Sequence, residues 1–460
     1  HAGRHLKHTS PSPAHRKRAR ILRRLALQVA RQRGFRLRRR IAIRTFRQSD
    51  LLAYRERRLT QLLGTAPRGA VDDAILTRLG LLPKKTTYRA ALRQALTTPV
   101  AVFYDRSARV LFIRPGFSLT SLPKTRRGAL VHEICRALQD QNLPLTRFSR
   151  AFPKNSDRVL ARRALVAGDC DGVMLENALR PTGADLGSAA VAVKGLLANN
   201  PLRRPRALRR APSFIRRTLL FPHEAGLRML QTIHRFGGWR RVTALYRRPP
   251  ETTEQILHPL ELRRHKRPRR VRGATLKTLK ATWRRVKVDT LGELQIAAIL
   301  ATQVDTTIAS RAAAGWGGDR LVAYIPKPPV ARLKDQGRKR KGKRRHAKRR
   351  ANAKPALPAQ IPPPLLIHLS VWDSDADALE QEDAQRRWLR ARFGPATADL
   401  SGTHVYTIGK TQERASIQRR RRAVLLILGS PSILREALEK EVWSRWRVNG
   451  RRLPPLRRPR

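Results

Sequence analysis

The pattern of apolar and polar positions along the chain predicts a mostly helical first part. Apolar residues recur at helical spacing in ILRRLALQVA, residues 21–30, and in further stretches up to about residue 96. Two β-rich runs within PVAVFYDRSARVLFIRPG then flank a short turn, which is typical of a hairpin. Further helices are predicted at HEICRALQDQ, at residues 156–179, and around residues 222–236, before a glycine pair.

From about residue 288 the pattern changes to alternating helices and strands. It predicts, in order, LGELQIAAILATQV as helix, DRLVAYIP and LLIHLSVWD as strands, ADALEQEDAQRRWLRARF as helix, THVYTIG and AVLLILG as strands, and SILREALEKEVW as helix. The lysine- and arginine-rich, proline-flanked segment 331–363 separates the first two strands. We interpret it as a disordered basic insertion in a hairpin.

These patterns predict an α+β fold in three parts. Residues 1–60 form a basic N-terminal extension, and residues 61–287 form a mostly helical core with a small β hairpin. Residues 288–460 form a C-terminal α+β module that carries the basic insertion. Because 41% of the residues are apolar, the chain can build sizeable cores.

Charge is the outstanding feature of the composition. The chain has 100 Lys and Arg against 32 Asp and Glu, a formal net charge of +68. Such an excess repels itself and favours an anionic partner, a nucleic acid or an acidic polymer of the cell envelope. Aromatic residues make up only 5% of the chain. We therefore expect binding directed at the polymer backbone and indifferent to sequence.

Cysteine content and hydropathy argue against a disulfide-rich, a zinc-ribbon or a membrane-spanning protein. Cys135 and Cys170 are too few for a disulfide framework or a zinc ribbon. No run of 18 apolar residues occurs, so no transmembrane segment is expected. The chain begins at His1 instead of Met, and we expect that a segment preceded it.

The stretch VHEICRALQDQ resembles the metal-binding helix of a zinc peptidase. In an active HExxH helix, two histidines one turn apart bind zinc and the glutamate polarises the attacking water. His132 and Glu133 are present here, but Arg136 occupies the second histidine position. A guanidinium stays protonated in proteins, so it cannot bind zinc.

Further segments resemble the same bacterial, mostly extracytoplasmic family of zincin-type metallopeptidases. They are ALVAGDCDGVML, GGWRRVTALYRRPPETTEQILHP, GWGGDR and VWDSDADA. Together with VHEICRALQDQNLPL they lie in order within a resemblance that extends from about residue 95 to 440. The resemblance implies a zincin-like core and a third ligand, a glutamate, at position 167. Ala167 stands there instead. The resemblance therefore implies a degenerate member, with His132 a vestigial ligand and Glu133 a vestigial base.

Two rearrangements of the site remain open. A rebuilt zinc site would use Cys135, Cys170 and Asp171 beside His132 as substitute ligands, giving an active zinc metallopeptidase. Alternatively, Arg136 pairs with Glu133 or Asp171, and this ion pair replaces the metal. With the second arrangement no cofactor is expected.

Other acidic and histidine-containing stretches favour structural roles. Asp373, Asp375 and Asp377, with Ser374, are typical of a helix N-terminus, since Ala378 replaces the glycine of a calcium loop. His223 and Glu224 are expected to form a surface pair on a helix, because no histidine follows one turn later. For His258 we expect a structural hydrogen bond.

The sequence thus predicts a catalytically inactive peptidase-like scaffold that binds a polyanion, RNA included, through basic segments. A structural subunit of a ribonucleoprotein assembly is an alternative. The resemblance favours an extracytoplasmic location, and the charge also fits a nucleic-acid-rich compartment. The polyanion-binding residues are predicted to be Arg38, Arg39, Arg40, Arg338, Lys339, Arg340, Lys341, Lys343, Arg344, Arg345, Lys348, Arg349 and Arg350.

Overall fold

The computed structural model describes residues 13–63, 66–97, 100–119, 122–145, 148, 154–264, 266–328, 361–398, 403–410 and 412–453. Within them the α+β class is confirmed. The chain forms two compact units of discontinuous segments. Unit one contains residues 1–62, 89–268 and 291–298, and unit two contains residues 63–88, 269–290 and 299–460. The sequence predicts three continuous parts, whereas these two units are built from discontinuous segments. The three-part division therefore stays a prediction.

The α-helices of the described residues are numbered in chain order. They are α1 (Pro13–Arg33), α2 (Gln48–Leu63), α3 (Ala66–Arg78), α4 (Tyr88–Ala95), α5 (Lys124–Asn142), α6 (Ser156–Leu179), α7 (Ala190–Ala198), α8 (Arg206–Arg210), α9 (Ser213–Arg235), α10 (Gly238–Ala244), α11 (Thr253–Leu257), α12 (Pro259–Arg263), α13 (Lys277–Lys280), α14 (Gly292–Leu300), α15 (Thr306–Ala313), α16 (Asp375–Phe393) and α17 (Arg435–Arg445). Short 3₁₀ turns occupy Arg180–Thr182, Pro201–Arg203 and Ser432–Leu434.

The strands are numbered in the same way. They are β1 (Ala42–Thr45), β2 (Val102–Asp105), β3 (Val110–Ile113), β4 (Val271–Arg272), β5 (Trp283–Asp289), β6 (Trp316–Pro326), β7 (Leu365–Trp372), β8 (Thr397–Ala398), β9 (His404–Thr407), β10 (Glu413–Arg420), β11 (Ala423–Pro431), β12 (Arg447–Val448) and β13 (Arg451–Arg452).

In unit one, helices α1, α5 and α6 pack together beside a small sheet. The expected hairpin is confirmed, because β2 pairs antiparallel with β3. Strand β1 extends this sheet by pairing parallel with β3. The segment expected to be a basic extension therefore also contributes to the fold: Leu22, Ala26 and Val29 of α1 are buried in the core of this unit.

A close helix crossing brings α9 against α6. A Cβ atom on Gly226 would lie 2.3 Å from the carbonyl oxygen of Ala164, and one on Gly168 would lie 2.4 Å from the carbonyl carbon of Gly226. Only glycine permits this approach at both positions, because real Cβ contacts are not that short. The crossing fixes the distance between the two helices and so positions the side chains of α9 that face α6.

Unit two contains a seven-stranded sheet in the order β5-β6-β7-β11-β10-β9-β8, with all neighbours antiparallel. The predicted pairing of the strands on either side of the basic insertion is confirmed by β6 and β7. The insertion itself lies outside the described residues, except for 361–363 at its end. Strand β7 is buried along its whole length, and its residues Leu365, Ile367 and Leu369 pack with α17 in one core. Burial on both faces accounts for the mostly apolar run LLIHLSVW, in which His368 and Ser370 are the polar residues.

The acidic stretch before α16 is a helix N-terminus, as expected. Ser374 is the N-cap, and its hydroxyl accepts from the backbone N–H of Asp377. The Asp377 carboxylate accepts in return from the Ser374 N–H at 2.9 Å, which completes a capping box. Asp375 and Asp377 both lie in the first turn, where negative charge is favourable.

Candidate functional site at the interface of α5 and α6

Helices α5 and α6 run antiparallel and meet through three successive contacts. His132 contacts Asp171, Cys135 is bonded to Cys170, and the amide of Gln139 donates to the carbonyl oxygen of Val166 at 3.0 Å. Positions 136 and 167 lie within this same segment. Helices α5 and α6 therefore pack against each other, with the β2–β3 hairpin beside α5.

The two cysteines form a disulfide between the helices. Cys135 and Cys170 are both fully buried, and their Cα atoms are 5.5 Å apart, within the range of a disulfide. Only a thiolate binds zinc, and these sulfurs are bonded to each other. The expectation that Cys135 and Cys170 serve as substitute zinc ligands is therefore wrong for this structure. Two cysteines do not make a framework, but they link the two central helices covalently.

Asp171 of α6 lies between two histidines. Its Oδ1 is 3.1 Å from Nδ1 of His132, and its Oδ2 is 2.8 Å from Nδ1 of His223 on α9. A carboxylate accepts hydrogen bonds, so both imidazoles donate from Nδ1. The sequence context of His223 suggested a surface pair with Glu224. In the structure His223 contacts Asp171 instead. Glu224 beside it pairs with Arg203 instead. The signal missing from the sequence is the close crossing of α6 and α9, which brings together residues 52 positions apart.

The charges of this triad reinforce one another. Burial alone would raise the pKa of Asp171, but the two imidazoles hold it well below its usual range. Burial alone would lower the pKa of His132, yet the hydrogen bond and charge of Asp171 raise it. A charged carboxylate and a protonated His132 are the states that this arrangement stabilises.

Glu133 and Arg136 form a second ionic group on the same helix. Their side chains meet at 3.0 Å, and Arg136 also donates to the hydroxyl of Tyr54 at 3.3 Å. Glu133 accepts in addition from the backbone N–H of Tyr104 on β2 at 2.7 Å. The expected pairing of Arg136 with Glu133 is confirmed. The alternative ion pair between Arg136 and Asp171 does not form, because the Asp171 carboxylate accepts from His132 and His223.

This ion pair perturbs its neighbours. Burial lowers the pKa of Arg136, but Glu133 and Tyr54 outweigh burial and raise it, so the guanidinium stays charged. Burial raises the pKa of Tyr54, whereas Arg136 and Arg58 lower it, and the net shift is downward. Glu133 therefore faces a permanent cation, and the arrangement leaves it as an ion-pair partner instead of a general base.

The side chains present do not fit the zinc ion of the resembled family. Position 136 carries a guanidinium that only donates, and position 167 carries a methyl group. Both oxygens of Asp171 already accept from imidazoles. Within the described ranges, no group of three or more His, Cys, Asp or Glu side chains is arranged to hold a metal ion.

A fully buried network surrounds Asp169, two residues before Asp171. Arg33 of α1 contacts both carboxylate oxygens, at 2.5 Å from Nε and 3.0 Å from Nη2. Gln139 and the hydroxyl of Tyr246 also donate to Asp169, at 3.1 and 2.7 Å. Burial, followed by the charge of Asp169, raises the pKa of Tyr246, which keeps the hydroxyl protonated as a donor. Arg33 lay outside the resemblance, and sequence reasoning did not find it.

The hydrogen-bond network around Asp169 joins several of the sequence segments that carry the resemblance. ALQDQ supplies Gln139, the GDC segment supplies Asp169, and LYRRPP supplies Tyr246. Trp239 of GGW packs its ring 4.7 Å from the Arg33 guanidinium. The imidazole of His258 in ILHP lies 2.9 Å from Glu293, as expected for a structural hydrogen bond. These segments therefore hold the helices together independently of positions 136 and 167.

The predicted polyanion-binding residues divide into two groups. Arg38, Arg39 and Arg40 follow α1 and are exposed. The others, Arg338 to Arg350, lie outside the described residues. The helices of the described ranges include none that is long and apolar enough to cross a bilayer.

Comparison with known proteins gives one partial match. A profile for a Domain of unknown function (DUF8575) matches residues 278–333, which include β5, α14, α15 and β6. No curated protein and no solved structure matches the chain.

Proposed function

We propose that this protein is a catalytically inactive, zincin-like scaffold that binds a polyanion through its arginine- and lysine-rich segments. The observation that carries the proposal is the charge imbalance, 100 basic against 32 acidic residues. A folded chain with this excess gains stability when anions approach it, because they reduce the repulsion among its cationic side chains. Arg38, Arg39 and Arg40 are exposed and available for such contacts.

The rearranged α5–α6 interface supports the inactive half of the proposal. The Glu133 carboxylate is paired with Arg136, and the sulfurs of Cys135 and Cys170 are joined to each other. A working zinc site would need open donor atoms converging on one point and a free base nearby. Here the same side chains satisfy one another.

The disulfide also bears on the compartment. Structural disulfides form and persist in oxidising surroundings and are rare where glutathione keeps thiols reduced. The buried Cys135–Cys170 bond therefore favours the extracytoplasmic location that the sequence resemblance implies.

Binding measurements test the polyanion half of the proposal. Unrelated DNA and RNA sequences should bind with similar affinity, and a protein making 6–10 phosphate contacts should lose roughly 10³–10⁵ in affinity between about 50 and 200 mM salt. Salt-insensitive binding, or a strong preference for one base sequence, would contradict a backbone-directed mechanism. Tight binding to lipopolysaccharide or an acidic polysaccharide, with none to nucleic acid, would move the assignment to the envelope.

Metal analysis tests the inactive half. The purified protein should contain no stoichiometric zinc and show no chelator-sensitive proteolysis, because positions 136 and 167 lack ligands. Arg136→His combined with Ala167→Glu should regain zinc binding, and Arg136→Lys combined with Ala167→Gln is the matched control. About one zinc per wild-type chain would overturn the proposal.

A further inference from the structure

The segment that follows α1 is fixed at both ends. Gly34 adopts a positive φ of 75° and ends the helix, and the N–H of Phe35 donates to the carbonyl oxygen of Ala30 at 2.8 Å. Phe35 is buried in the core of unit one. At the other end the chain enters β1, which pairs with β3. Residues 36–40 between these anchors are called the arginine loop below.

Two amide side chains at the end of α5 fix the backbone of the arginine loop. Asn142 accepts from the N–H of Arg36 at 3.1 Å and donates to its carbonyl oxygen at 2.9 Å. The side chain of Gln141 likewise accepts from the N–H of Arg39 at 3.0 Å and donates to the carbonyl oxygen of Arg39 at 3.2 Å. The side chains of Gln141 and Asn142 thus act as a neighbouring strand would, and the loop needs no partner of its own.

The side chains of the loop separate into an inner and an outer set. Leu37, and Ile41 just beyond the loop, pack against the core of unit one. Arg36, Arg38, Arg39 and Arg40 are exposed, and none of them forms an ion pair with another described residue. No Asp or Glu occurs in residues 1–49. Four guanidinium groups are therefore displayed from a fixed backbone without a nearby acid in sequence.

We propose that the arginine loop is a preformed docking surface for the sugar-phosphate backbone of a nucleic acid, with Gln141 and Asn142 as its positioning residues. This inference rests on the proposed polyanion binding and names one place where it occurs. Guanidinium groups match phosphate oxygens with paired hydrogen bonds. A fixed loop avoids the ordering cost that a flexible basic tail pays on binding.

The dimensions fit several phosphates. Five residues extend over at most about 17 Å, and one strand of a duplex carries a phosphate every 3.4 Å or so along the axis. Four exposed arginines over this length can therefore contact about four phosphates.

The burial pattern favours a nucleic acid over a lipid surface. A helix that binds a bilayer keeps an apolar face for the acyl region. Here the apolar face of α1, including Leu22, Leu25 and Val29, is buried in the protein core. Leu37 and Ile41 likewise face the core. The surface offered by the loop is cationic without an apolar anchor.

The first experiment changes the loop charges in the full chain. Arg36, Arg38, Arg39 and Arg40 are replaced together by Gln, and the affinity for a short DNA duplex is measured across a salt series. The slope of log affinity against log salt should become less steep by about 3–4, because each lost phosphate contact removes about 0.9. Between about 50 and 200 mM salt, the wild type should then lose about a hundredfold more affinity than the variant.

The matched control removes the same number of charges elsewhere. Arg206, Arg210, Arg451 and Arg452 are exposed, and their combined replacement by Gln should leave the slope within about 1 of wild type. If both variants reduce the slope equally, only net charge matters and the loop proposal fails. If the wild type binds no duplex at any salt but binds an acidic polysaccharide, the loop proposal fails and the polyanion proposal stands. If it binds neither polymer, both proposals fail.

The second experiment tests the positioning residues. Gln141→Ala with Asn142→Ala keeps every loop charge but releases the backbone of the loop, so affinity should fall about 3–10-fold with nearly the same salt slope. A purely structural role would leave affinity unchanged while lowering the temperature of unfolding. Unchanged affinity in a folded double variant would overturn the positioning role. Binding to vesicles containing anionic lipid, unaffected by the loop substitutions and tighter than binding to DNA, would overturn the choice of partner.

Discussion

Asp169 and Asp171 of α6 are separated by a single residue and have contrasting surroundings. Asp169 is fully buried and accepts from the guanidinium of Arg33, the amide of Gln139 and the hydroxyl of Tyr246. Asp171 is nearly as buried, but its two partners are histidines. In the second group, burial is outweighed by the neighbouring charges and hydrogen bonds, which shift the pKa of His132 upward and that of Asp171 downward, so its hydrogen bonds depend on pH.

The difference separates a network that joins several elements of the fold from a more local group of side chains. The Asp169 network joins α1, α5 and α6 with the segment after α10, so several elements depend on it. The Asp171 triad lies beside Arg136 and Glu133, where the resemblance implies a metal. The hydrogen bonds of Asp169 involve neither position 136 nor position 167, so that network forms whatever side chains those two positions carry.

The largest expected effect follows from removing the centre of the first network. Asp169→Ala leaves the Arg33 guanidinium buried without a counter-charge, which should cost about 3–5 kcal/mol in the free energy of unfolding. Urea denaturation of wild type and variant measures this difference in the free energy of unfolding. Glu56→Ala is the control, because Glu56 pairs with Arg89 and Arg93 at the surface and should cost at most about 1 kcal/mol. Equal costs for the two variants would contradict the central role of Asp169.

A second, smaller effect concerns the disulfide between α5 and α6, whose Cys170 lies between Asp169 and Asp171 in the sequence. Replacing Cys135 and Cys170 together by Ala, or reducing the wild type, should lower the free energy of unfolding by about 2–4 kcal/mol. The cross-link closes a segment with a sequence separation of 35 residues and limits the unfolded chain. Thermal unfolding with and without dithiothreitol measures the effect. The double variant should not respond to the reductant, and two titratable thiols in the untreated protein would rule the link out.

The smallest effect is the one that depends on pH. The raised pKa of His132 gives stability that is complete below about pH 6.5, the unfolded value, and is lost as pH rises through the folded pKa. The lowered pKa of Asp171 gives stability that is complete above about pH 3.9 and is lost as pH falls through the folded pKa. The triad should therefore stabilise most between about pH 4 and 6.5.

Asp171→Asn tests this window. Near pH 5.5 it should cost about 1.5–3 kcal/mol, the range for hydrogen bonds to charged groups, and the cost should shrink as His132 deprotonates. Unfolding free energies of wild type and variant at several pH values measure the difference. A cost that grows from weakly acidic to alkaline pH would contradict the protonated triad.

Much of the fold could be predicted from local patterns. Helix α6 has the predicted bounds, because Asn155 caps its start and apolar residues repeat at helical spacing. Helix α9 begins nine residues earlier than predicted, since Pro222 lies within it and was interpreted as its start. Strands β1, β5 and β10 were missed, because arginines within AIRT, WRRVKVD and ERASIQRR hide the apolar alternation.

The site could be predicted only where its contacts are local. The pairing of Glu133 with Arg136 spans less than one helical turn and was expected. The pairing of His223 with Asp171 depends on the glycine crossing of two helices and has no local signature. The position of Arg33 also escaped prediction, because among so many arginines nothing marks the buried one.

The pairing of β6 with β7 has a consequence for how the chain tolerates change. Tyr324 and Leu365 are opposite each other in the ladder, so the chain leaves and re-enters the sheet at adjacent points. The entropy of closing such a connection grows slowly, by about 0.6 kcal/mol for each doubling of its length. Segments can be lengthened or shortened here without shifting the strand register. A single cut in this connection would leave two fragments held by the antiparallel ladder, which makes it a natural point at which to split the protein into complementing halves.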